Sequence, residues 1–157
     1  MKVKIFIMED DEFYFGIIKE VLENMSFSFY PNSKNDFYEL RKLLSICTAD
    51  YCLDSIKKES TDKILEILKD NTDKETTFLV TCCLGENQNP TLEGLTLYKM
   101  FTKDHGKKTI IISSTTLSKE IKTIENFCEE EPNCSLFRKS KKSLKENFGE
   151  YLISKMN

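Results

Sequence analysis

Apolar positions along this 157-residue chain follow two rhythms that take turns. Short, largely apolar runs recur: "VKIFIM" (3–8), "TTFLVTCCL" (76–84) and "KTIIISS" (108–114). β-Branched and aromatic side chains suit a pleated surface, and runs apolar on both faces predict strands buried on both sides. "SFSFYP" (26–31) is a shorter aromatic alternation closed by Pro31, and "CSLFRKS" (134–140) supplies a fifth strand. Between these runs the period becomes helical. "FYFGIIKEVLE" spaces Phe13, Ile17 and Val21 as one face, and "KNDFYELRKLLSIC" aligns Phe37, Leu40, Leu43, Leu44 and Cys47. "LEGLTLYKMF" and "LSKEIKTIENFCEE" read as two more helices. "KSLKENFGEYLISKM" reads as a last one, with Leu144, Phe148, Tyr151, Leu152 and Met156 along one side.

Strands and helices that alternate in this way predict an α/β fold, a parallel sheet covered by helices on both faces. Five such units predict a doubly wound sheet with strand order 2-1-3-4-5 in a single domain over residues 1–157. One stretch exceeds the pattern. Residues 48–73, before the third strand, carry Ile56, Ile64, Ile67 and Leu68 at helical spacing and read as an inserted helical element. Ser60 or Thr61 would cap a second piece of it, and its mixed charges suggest a solvated outer face.

Composition narrows the classes without choosing one. With 39% hydrophobic and 31% charged residues the chain is ordinary for a globular protein. A net charge of −3 gives no general case for nucleic acid or membrane binding. No segment is long and apolar enough to span a bilayer, and the short run at 5–8 is no signal-peptide core, so a cytoplasmic location is expected. The basic "RKSKKSLK" near the C-terminus follows acidic Glu129–Glu131 and reads as a solvated face. Six cysteines contain no CxxC pair, and His105 is the sole histidine, so buried thiols are expected rather than zinc or disulfides. Adjacent Cys82 and Cys83 offer a thiol-based redox sensor as a distant alternative, which neighbouring acids disfavour because they oppose thiolate formation.

Functional groups in open α/β sheets collect beyond the carboxyl ends of the strands. Here those ends carry Glu9-Asp10-Asp11 after the first strand, Leu84-Gly85-Glu86 after the third, Ser113-Ser114 after the fourth and Arg138-Lys139-Ser140 after the fifth. Hard carboxylate oxygens at such a rim would hold a magnesium ion (Mg2+). A lysine and a hydroxyl would receive phosphoryl oxygens.

The order of these pieces resembles the receiver domain of response regulators in two-component signalling. "IFIMEDDEF" is similar to the family's first strand and acidic pair, placed at Glu9 and Asp10. "ENQNPTLEGL" resembles its loop DxxxPxxDG, with Pro90 and Gly94 as the proline and glycine. "IIISS" matches the fourth strand with Ser113 as its hydroxyl residue, and "LFRKS" the fifth with Lys139 as its lysine. The resemblance covers everything except 48–73 and implies a flavodoxin-like fold, a pocket of Glu9, Asp10, Glu86, Ser113 and Lys139, and a magnesium site at Glu9, Asp10 and Glu86, if any.

The family's phosphoacceptor aspartate is missing. Counting back from Pro90 and Gly94 places Glu86 there; a rival register, with a longer loop, places Thr81 there instead. Leu136 and Ser140 stand where the family has an aromatic switch residue and a proline. A glutamate keeps the charge, but its extra methylene disturbs in-line phosphoryl transfer. The resemblance therefore implies a non-enzymatic protein-interaction module, independent of aspartyl phosphorylation and requiring no cofactor. Its partners or homodimer would use the family's fourth helix, fifth strand and fifth helix, with Ile121, Ile124, Leu144 and Phe148 mostly in the core. The runner-up is a phosphorelay receiver with a non-standard acceptor.

Overall fold

The computed structural model describes residues 2–49, 52–81, 93–101, 108–114 and 118–156 and sets the five apolar runs side by side. The strands are β1 (Ile5–Met8), β2 (Phe29–Tyr30), β3 (Thr77–Thr81), β4 (Thr109–Ser113) and β5 (Cys134–Arg138). They form one sheet ordered β2-β1-β3-β4-β5, and each of its pairings is parallel. This is the doubly wound, flavodoxin-like α/β arrangement expected from the alternation. The helices of the described residues are α1 (Glu12–Asn24), α2 (Lys34–Thr48), α3 (Asp54–Asn71), α4 (Glu93–Phe101), α5 (Ser118–Glu130), α6 (Lys141–Glu146) and α7 (Phe148–Met156).

Successive strand residues face opposite sides, so each strand serves two cores. Phe6, Met8, Phe78, Val80 and Ile111 pack with residues of α2, α3, α4 and α5. Ile5, Ile7, Leu79, Ile110, Ile112 and Phe137 pack with α1, α6 and α7. Among the described residues, no helix is long and apolar enough to cross a membrane.

Three local expectations are corrected. The buried face of α1 is Phe15, Ile17, Ile18 and Leu22, while Phe13 is 57% exposed. Asp11 causes this: its carboxylate accepts the N–H groups of Phe13 and Tyr14, which starts the helix at Glu12 and turns Phe13 outward. The 48–73 stretch holds one continuous helix, α3, after the end of α2. Ser60 is no cap; it is buried with Ile64 and Leu68, each one turn apart, against α2. Thr61 donates to the Lys57 carbonyl inside the helix. The C-terminal helix is divided at Asn147, whose φ of −120° leaves the helical region after α6. Its apolar stripe survives the break, since Leu144, Phe148 and Leu152 are all buried.

Candidate functional site at the carboxyl rim of the sheet

Three polar residues continue the apolar columns of one sheet face to the carboxyl ends of the strands. Ile7, Leu79 and Phe137 lie in the core beneath α1, α6 and α7, and two residues further along each strand stand Glu9, Thr81 and Lys139. Met8 pairs with Val80, so Glu9 and Thr81 follow as neighbours at the rim. Lys139 comes from the far side of β4 and needs its full four-carbon stem to reach them. Its Nζ donates to Glu9 Oε1 at 2.5 Å and to Thr81 Oγ1 at 2.9 Å. It also lies 4.4 Å from the centre of the Tyr14 ring, a cation–π distance. Its backbone N–H donates to the Ser113 carbonyl at 2.8 Å, which anchors the end of β5 on β4.

Glu9 is equally committed. Its second oxygen, Oε2, accepts the backbone N–H groups of Asp10 at 3.0 Å and Asp11 at 3.4 Å. Glu9, Thr81 and Lys139 are all buried, so this is an interior ion pair rather than a solvated one. Burial pushes the Glu9 carboxyl above its ordinary pKa; the Lys139 charge and hydrogen bond pull it back, and the Asp10 charge adds to the rise.

The other expected site residues fall out differently. Ser113 is buried and alternates with Ile112, which puts its side chain toward the α2–α5 side, away from Lys139 Nζ. It meets the cluster through its carbonyl. Asp10 is half-buried, and its carbonyl accepts from Arg41 at 3.5 Å. It opens onto a cavity of about 640 Å³ that Tyr38, Arg41 and Lys42 also line. The Arg41 guanidinium stacks 5.0 Å from the Tyr38 ring, whose hydroxyl donates to Glu12 at 2.8 Å. Glu86, Pro90, Cys82 and Cys83 lie outside the described residues; Gly94 is buried in the first turn of α4.

Thr81, the position favoured by the rival register, is the β3 residue that touches Lys139. Tyr14 escaped sequence reasoning, and its one available signal was the Asp11 cap that fixes the helical phase. The expected magnesium set fits poorly at Glu9: an incoming ion would have to displace an ammonium from one oxygen and compete with two N–H donors for the other. Among the described residues, no three acidic, histidine or cysteine side chains gather as metal ligands.

The rim thus holds a buried charge satisfied from within, since a carboxylate and a hydroxyl of the chain itself occupy the Lys139 ammonium. Compared with protein-family models, curated proteins and solved structures, the chain has no match in any of the three.

Proposed function

We propose that the chain is an atypical receiver-like module that signals through protein contacts and does not depend on aspartyl phosphorylation. One observation carries this: Lys139, the residue that aligns with the receiver lysine, is buried and already bonded to Glu9 and Thr81. A phosphoryl group at the rim would have to break that pair and leave Glu9 buried without its cation, a change that costs about 3–5 kcal/mol. Thr81 beside it is a hydroxyl, and a hydroxyl forms a stable ester rather than the labile acyl phosphate that a carboxylate gives. Contact with partners, or with a second copy of the chain, would use the face built by α5, β5 and the α6–α7 pair.

Incubation with acetyl phosphate and magnesium, followed by intact-protein mass spectrometry, tests the reading. The expected spectrum is unchanged. A stoichiometric phosphoryl adduct would overturn it, and mapping that adduct to Glu86 would establish a phosphorelay receiver with a non-standard acceptor.

A further inference from the structure

A second pair of reactive side chains lies far from the rim, at the opposite end of β5. The last turn of α5 carries Cys128, and β5 opens with Cys134. Their sulfurs are 3.4 Å apart, in contact and within hydrogen-bond range. A disulfide needs about 2 Å, so closure asks for a shift of little more than 1 Å, within reach of a side-chain rotation. We propose that Cys128 and Cys134 are a redox-active dithiol that small peroxides convert to an intrachain disulfide.

The surroundings divide the roles between the two thiols. Cys128 is half-buried on a helix and is the more accessible of the pair. The hydrogen bond from Cys134 favours its thiolate and lowers its pKa. Cys134 is held by the sheet: it pairs with Thr109, and its N–H donates to the Glu131 carbonyl at 3.1 Å. Beside it opens a cavity of about 160 Å³ that Lys108, Asn133 and Lys155 also line. Cys47 shows the contrast, since burial pushes its thiol up to about 11 and its Sγ donates to the Leu44 carbonyl.

The chemistry balances as two steps. The Cys128 thiolate attacks one peroxide oxygen, the O–O bond breaks, and the departing hydroxide takes up the proton that Cys128 lost. Cys134 sulfur then attacks the sulfenic sulfur, the S–S bond forms, the S–O bond breaks, and hydroxide leaves with the Cys134 proton as water. Two thiols lose two electrons and the peroxide gains them.

The test uses the full chain, reduced, then treated with hydrogen peroxide and blocked with N-ethylmaleimide. Glu129 and Glu130 separate the two cysteines, so cleavage after glutamate yields distinct peptides. Peptides carrying Cys128 and Cys134 are expected to be joined and released by a reductant, and the Cys134→Ser variant should trap a sulfenic acid at Cys128. Full maleimide labelling of both cysteines after peroxide would overturn the proposal. So would a cross-link from Cys128 to any cysteine other than Cys134. The wild-type map decides the matter even if the serine variant fails to fold.

Discussion

Taking an ammonium and a carboxylate out of water costs several kcal/mol each, so a buried pair persists only where geometry compensates it. Lys139 and Glu9 meet that demand with hydrogen bonds to one another, to Thr81 and to two backbone N–H groups. Burial nevertheless dominates at Glu9 and raises its pKa above the ordinary 4.5. A carboxyl whose folded pKa exceeds its unfolded value binds its proton more readily in the fold. Its contribution to stability is therefore complete below the unfolded value and is lost as pH rises through the folded one. Glu9→Gln removes this titration. As pH rises above about 4, the ordinary range of a glutamate, the wild type should lose stability relative to that variant, read as a fall in its urea midpoint against the variant's. A wild-type midpoint that rises against the variant's over the same range would reverse the sign assigned to Glu9. Glu9 and Lys139 were legible in the sequence because each follows the last apolar residue of a strand, where open α/β sheets collect functional groups, and the resemblance to receivers singled them out. Tyr14 was not, since Phe13, Ile17 and Val21 share a period with the true face but not its phase.

Among the elements, α3 shows how a helix beyond the five-unit pattern is held. Its stripe of Ser60, Ile64 and Leu68 rests on α2, while Leu65 stands 44% exposed on the other side. Ile64→Ala should cost about 2–5 kcal/mol, because the fully buried site leaves a cavity. Leu65→Ala, one residue away, should stay within about 0.5 kcal/mol, both read by equilibrium urea unfolding. Equal costs would contradict the placement of α3. The strands were legible because runs such as "TFLV" and "TIIIS" are apolar on both faces and suit no other element at that length. Helix ends were less so. Ser60 has the chemistry of a cap, but the buried stripe of α3 runs straight through it, and at Asn147 the backbone turns while the apolar period continues. Tertiary packing decided both.

At the scale of the molecule, two apolar layers share one sheet. Ile7 belongs to the α1 side and Met8, its neighbour, to the α2–α5 side, so neither layer can loosen without moving the same backbone. Loss of secondary structure by circular dichroism and loss of packing by tyrosine fluorescence, from six tyrosines and no tryptophan, should coincide in denaturant. Separate transitions would show the layers to be independent. The sheet order followed from the alternation of elements, whereas the closeness of Cys128 and Cys134 came from the turn between α5 and β5, which no periodicity encodes. The bond from Lys139 to Glu9 joins residues 130 positions apart. During synthesis Glu9 leaves the ribosome long before its partner is made, so the nascent N-terminal half carries an anion that only the arrival of the fifth strand can neutralise.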